Sequence, residues 1–136
     1  METTERTAGT SEALTDGIRV TVQSRYLPQR SNPLRRQFLF TYQVTIANEG
    51  SEPVRLVTRH WIIKDAFGEQ DEVEGVGVVG ERPLINPGDS HTYSSFCPLK
   101  TEFGTMEGSY GMVRPGGATF RAEVARFVLR VPTAVN

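Results

Sequence analysis

An all-β sandwich is the fold class this chain predicts. Apolar side chains alternate at period two, turn-forming Gly, Pro, Asn and Asp recur about every ten residues, and no stretch carries a helical period. The chain has 136 residues, 38% apolar and 23% charged, which suits a single folded domain with a packed core.

Residues 1–16 are polar, with almost no apolar periodicity, and predict a flexible N-terminal tail followed by one domain over 17–136. The first strand follows Gly17, where Ile18, Val20 and Val22 alternate with Arg19, Thr21 and Gln23. Pro28 and Asn32-Pro33 make 27–34 a loop. In 37–48 Phe38, Phe40, Tyr42, Val44 and Ile46 share one face, the clearest strand in the sequence, and Asn48-Glu49-Gly50-Ser51 turns the chain. Residues 54–67 are apolar on both phases around Trp61-Ile62-Ile63 and predict a central strand covered on two sides. A short edge segment at 71–73 is interrupted by 75–80, and Pro83 and Asn86-Pro87-Gly88-Asp89 leave no room for a long helix. Residues 92–97 and 107–113 predict two short strands around a loop at Phe103-Gly104. In the last strand Phe120, Ala122 and Val124 share one parity and Phe127, Leu129 and Val131 the other, so a bulge belongs near Ala125-Arg126. About seven or more strands in two antiparallel sheets give an immunoglobulin-like sandwich.

Several function classes fall away. No strongly apolar run is longer than that of Trp61-Ile62-Ile63, far short of a membrane-spanning helix, so no membrane insertion is expected. The N-terminal residues lack the basic and apolar regions of a secretory signal, which predicts a cytoplasmic protein. Fifteen Lys plus Arg against sixteen Asp plus Glu argue against a nucleic-acid binder. Placement is uneven: Arg19, Arg25, Arg30, Arg35 and Arg36 are the only charges in 17–48, whereas Asp65, Glu69, Asp71, Glu72, Glu74 and Glu81 crowd a later stretch. Solvated strand faces account for most of this pattern.

Gly75-Val76-Gly77-Val78-Val79-Gly80 matches G-x-G-x-x-G, but Pro83 and Pro87 forbid the helix that a dinucleotide site needs. Two readings of this run remain: a sharp crossover at a sheet edge, or a backbone nest for an anion with Arg82 nearby. His60, His91, Asp65, Asp71, Glu72, Glu74 and Cys97 show no metal-ligand spacing, and neither a metal nor a cofactor is assigned. Ser90, Ser94, Ser95 and Cys97 near His91 form no recognisable nucleophile motif, so no catalytic residue is assigned. Trp61 is first of all a core anchor.

Arg59-His60-Trp61-Ile62-Ile63, the glycine run closing in Val78-Val79-Gly80-Glu81-Arg82-Pro83, Pro87-Gly88 and Met106-Glu107-Gly108-Ser109-Tyr110 stand in an order that resembles the bacterial ApaG family from about Ile18 to Asn136. The chain departs from the family pattern at Val76, where an acid is usual, and at Phe96, where a Gly is usual. The resemblance implies a fibronectin-type-III or immunoglobulin-like sandwich without an agreed catalytic residue, a partner-binding role, and an indirect place in cobalt resistance and magnesium efflux. The expected function is therefore a non-enzymatic domain that binds an unidentified protein partner. Its expected surface is Gly75, Gly77, Gly80, Glu81 and Arg82 beside Arg59, His60 and Trp61. A phosphate-bearing small ligand at residues 75–80 is the alternative, and a homodimer is allowed. A bulky residue at Gly77 is expected to abolish binding and leave the melting midpoint within a few degrees.

Overall fold

A computed structural model describes residues 2–4 and 9–132. Ten strands are described: β1 (Glu2–Thr4), β2 (Thr10–Thr15), β3 (Ile18–Tyr26), β4 (Phe38–Asn48), β5 (Val54–Asp65), β6 (Gln70–Val76), β7 (Leu84–Ile85), β8 (Ser90–Leu99), β9 (Phe103–Val113) and β10 (Thr119–Arg130). They form two antiparallel sheets, one in the order β1-β2-β3-β4-β8 and one in the order β10-β9-β5-β6, with β7 paired to β5. The result is an all-β sandwich, as the period-two pattern predicts. No helix among the described residues is long and apolar enough to cross a membrane.

The core follows from strand parity. Phe40, Val44 and Ile46 on β4 face Leu56 and Trp61 on β5, Tyr110 and Met112 on β9, and Phe127 and Leu129 on β10, all buried. Trp61 sits at the centre, with edge contacts to Tyr42 at 5.4 Å and to Tyr110 and Phe127 at 6.0 Å between ring centroids.

The predicted bulge in β10 is present: the ladder to β9 shifts register between Val124 and Phe127. It has a partner in a strand that the sequence pattern concealed. The tail expected over 1–16 gives way at 10–15 to β2, paired with β3 from Thr10↔Gln23 to Thr15↔Ile18, while residues 1 and 5–8 lie outside the described residues. Ser11 Oγ donates to the Ala125 carbonyl at 2.7 Å, within the register shift, and Ser24 Oγ donates to the Val128 carbonyl at 2.8 Å. A bulge disrupts its own ladder locally, so a serine from the facing sheet completes the hydrogen bonding there. The β2/β10 side of the sandwich is thus stitched shut.

Three further expectations change. β5 is apolar on both phases because its ladder to β9 shifts between Leu56 and Thr58, not because both faces are covered. Val54 and Leu56 point inward before the shift and Trp61 after it, whereas His60 and Ile62 are only partly buried on the outer face. β6 extends to Gln70 and Val76 rather than 71–73. Phe103-Gly104, expected as a loop, opens β9.

Candidate functional site

The glycine run is the end of β6 and a tight hairpin. In β6, Arg59↔Gly75, His60↔Glu74, Trp61↔Val73 and Ile62↔Glu72 fix the register against β5. Gly77 then donates its N–H to the Val57 carbonyl at 2.7 Å, and Val78 and Glu81 exchange backbone hydrogen bonds of 2.8 and 3.0 Å. The two residues between them, Val79 with φ 48° and Gly80 with φ 78°, turn left-handed in the manner of a two-residue hairpin turn. Glycine suits that position, but a β-branched residue at positive φ is an outlier, so Val79 holds local strain.

This arrangement separates the predicted site residues. The amides of Gly77, Val78 and Glu81 are committed within the chain, which leaves little of the backbone cradle that an anion nest requires. Arg59 is committed as well: its Nη1 donates to the carbonyls of Val76 at 3.2 Å and Gly77 at 2.9 Å. Its guanidinium lies over Gly75, where a Cβ would come within 2.6 Å of Cζ. Arg82 contributes its carbonyl to Arg55 Nη1 at 2.7 Å, and Pro83 accepts from the Leu56 amide at 3.0 Å. Gly80, Glu81 and Arg82 are exposed at the tip, flanked by Val76 and Val79, both about two-thirds exposed. Trp61, at 3% exposure, is a core residue and cannot meet a partner. The expectation for Gly77 also changes: a Cβ there would stand 2.3 Å from the Glu81 carbonyl oxygen, so bulk at Gly77 breaks the hairpin before it tests any surface.

Three features of the region escape linear reading. The first is the backbone of β6. Gly77 donates to Val57 and Asp65 donates to Glu69, so hydrogen-bonded pairs with β5 fall on the odd positions of β6. The N–H and C=O groups of Gln70, Glu72 and Glu74 therefore point away from the sheet, along an edge that no described strand covers. The second is a side-chain cluster on the outer face. His60 Nε2 lies 2.8 Å from Glu72 Oε2 and 3.9 Å from Glu74 Oε1, and the three ligand atoms lie within 4.8 Å of one another. Hairpin register about Phe67-Gly68 pairs position 60 with 74, a signal present in the sequence once β6 is extended to Val76. The third is a cleft of about 570 Å³ between the start of β4 and the ends of β5 and β8, with Phe38, Ile63 and Leu99 beside Arg36, Asp65 and Lys100. Its charges oppose each other, and Lys100 already pairs with Glu69.

Elsewhere the ionisable groups are ordinary for a core. The Tyr93 and Tyr110 hydroxyls hydrogen-bond to each other, and burial raises both phenols well above the usual tyrosine range. Cys97 is buried, and desolvation, aided by Asp71, pushes its thiol up to about 12, so it is no nucleophile at neutral pH. His91 Nε2 and Trp61 Nε1 are buried without a hydrogen-bond partner.

Comparison with known proteins agrees with this architecture. The family model for the ApaG domain matches residues 28–114. Protein ApaG of Anaeromyxobacter sp. (strain K) is 54% identical over 126 residues, covering 93% of this chain and 99% of that protein. Protein ApaG of Pseudomonas putida is 48% identical over 119 residues, covering 88% and 94%. A Bordetella pertussis crystal structure that carries the ApaA name superimposes with a TM-score of 0.83 at 44% identity, covering 86% of this chain and 95% of that one. A family model spanning more than half of the chain, and close relatives aligned over nearly all of it, lead to one conclusion: the chain belongs to the ApaG family.

Proposed function

We propose that this chain is a non-enzymatic binding domain that takes an extended, basic segment of a protein partner onto the free edge of β6. The observation that carries the reading is the row of outward N–H and C=O groups at Gln70, Glu72 and Glu74, the hydrogen-bonding template that strand addition uses. Composition selects the partner's chemistry. The strand reads QDEVEGV, three acids and no base, so a second copy is repelled at this edge while Lys or Arg at alternate positions of an incoming strand meets Glu72 and Glu74. Val76 and Val79 at the hairpin tip, the latter held at strained φ, offer apolar contact where the added strand ends. We read the sheet order as fibronectin-type-III-like, with β5, β6, β9 and β10 as strands C, C′, F and G, a frame suited to presenting an edge. In the cytoplasm, such a domain would act on divalent-cation homeostasis only through its partner.

Panning a library of short extended peptides against the full chain tests the reading. Enrichment of alternating Lys or Arg, with binding lost in Glu72→Lys and on N-methylation of alternate peptide amides, is the expected result. Selected peptides indifferent to both changes would overturn it. The alternative, a pyrophosphate or nucleotide at residues 75–80, is disfavoured by the committed amides of Gly77, Val78 and Glu81.

A further inference from the structure

We infer that the outer face of the β5–β6 hairpin is a divalent transition-metal site formed by His60, Glu72 and Glu74. One imidazole nitrogen and two carboxylates converge there from adjacent strands, and the hairpin register holds their backbones in place. Zinc bonds of about 2.0–2.2 Å in a tetrahedron set ligand atoms about 3.3–3.6 Å apart. The His60 nitrogen stands 2.8 Å from one carboxylate and 3.9 Å from the other, on either side of that spacing, so modest rotation of two exposed glutamates completes three corners. Solvent supplies the fourth.

Charge points the same way. Among the described residues, no Lys or Arg pairs with Glu72 or Glu74; the nitrogen beside both is that of the His60 imidazole. Two carboxylates and a neutral imidazole carry the −2 that a divalent ion neutralises. Glu107, in register with Ile62 on β9, adds negative charge to the same face, offset in part by Lys64 on β5 and by Arg121, which donates to Ser109 in register with His60. A mixed nitrogen and oxygen set favours zinc-like ions over magnesium, which prefers oxygen ligands and keeps its waters. The His60–Glu72 hydrogen bond alone explains Glu72; it does not explain the second carboxylate, 3.9 Å away and, among the described residues, without a Lys or Arg partner.

The test needs no partner protein, so it stands or fails apart from the docking reading. The full chain is titrated with zinc(II) alone at neutral pH while the amide and imidazole nitrogen resonances are followed. Expected are one-to-one saturation, a shift of the His60 ring nitrogens with the amides around 60, 72 and 74, and an unmoved His91. Changes in residues around a metal's ligands cost about 10–100-fold in affinity. Glu72→Gln/Glu74→Gln should therefore weaken binding at least about tenfold, as should His60→Gln, with amide resonances outside the hairpin unchanged. Magnesium should leave the His60 ring unshifted. Absence of saturation at millimolar zinc, equal affinity in the double variant, or shifts centred on His91 or Cys97 would each overturn the inference.

Discussion

Gly77 and Gly80 both sit at positive φ in one hairpin, yet alanine should affect them very differently. At Gly80, φ is 78° and a Cβ meets nothing within 4 Å, so Gly80→Ala costs only the left-handed penalty of about 1–2 kcal/mol. At Gly77 the same penalty applies, and the new Cβ lands 2.3 Å from the Glu81 carbonyl oxygen, a backbone atom held by hydrogen bonding to Val78. The backbone must give by most of an ångström, which breaks both the Gly77-to-Val57 bond and the Val78-to-Glu81 bond, each contributing about 1 kcal/mol. Gly77→Ala should thus cost about 3–4 kcal/mol. At roughly 3–4 °C per kcal/mol for a chain of this size, thermal melts should fall by about 3–8 °C for Gly80→Ala and about 9–16 °C for Gly77→Ala. Because a hairpin can open while the sandwich persists, exchange of the Val78 amide is followed in parallel and should accelerate by about a hundredfold in Gly77→Ala alone. Equal melting midpoints together with equal Val78 exchange in the two variants would refute the reasoning.

Four other outcomes follow from the same contacts. Val79→Asn places a residue that tolerates left-handed backbone before Gly80, the preferred pair for this turn, and should raise stability by about 1 kcal/mol in denaturant melts. Asn48, 1% exposed, donates Nδ2 to the Glu52 and Ile85 carbonyls and accepts from the Gly50 amide, so Asn48→Ala strands three groups and should cost about 2–4 kcal/mol by urea titration. Burial raises the Tyr42, Tyr93 and Tyr110 phenols in the folded state, so their stabilisation is complete below the ordinary tyrosine value of about 10 and is lost as pH rises beyond it. Tyrosinate absorbance from these three should appear together with unfolding. Glu49 moves the other way: the Arg19 guanidinium lowers its pKa, so its contribution is present above the ordinary glutamate value and lost as pH falls through the lowered one. Arg19→Gln should flatten the acid limb of a stability–pH curve.

Much of this fold is written in parity. β4 and β10 declare themselves because their inward residues are large, and the β10 bulge is visible as a break in alternation between Val124 and Phe127. β2 hides because its two buried inward residues are Ser11 and Ala13, too small or too polar to mark a face; a serine is tolerated there because the Ala125 carbonyl accepts its hydrogen bond. β5 misleads because a register shift at Val57 exchanges the two phases, which in one dimension looks like double coverage. The glycine run was legible as a loop at a sheet edge, and the spacing of its glycines said nothing about where its amides go. That depends on Val57 and Glu81, partners set by tertiary pairing. The approach of His60 to Glu72 and Glu74 likewise follows from hairpin register rather than from linear spacing.

The central claim is that ligand-competent backbone lies along β6 rather than in the glycine turn. Two amide-resolved titrations of one labelled sample test it most directly, one with pyrophosphate and one with an extended peptide of alternating Lys and Val. The account predicts saturable shifts at Gln70, Glu72 and Glu74 with the peptide and none at Gly77, Val78 or Glu81 with pyrophosphate. Saturable pyrophosphate shifts confined to 75–82, with an unresponsive β6, would contradict it.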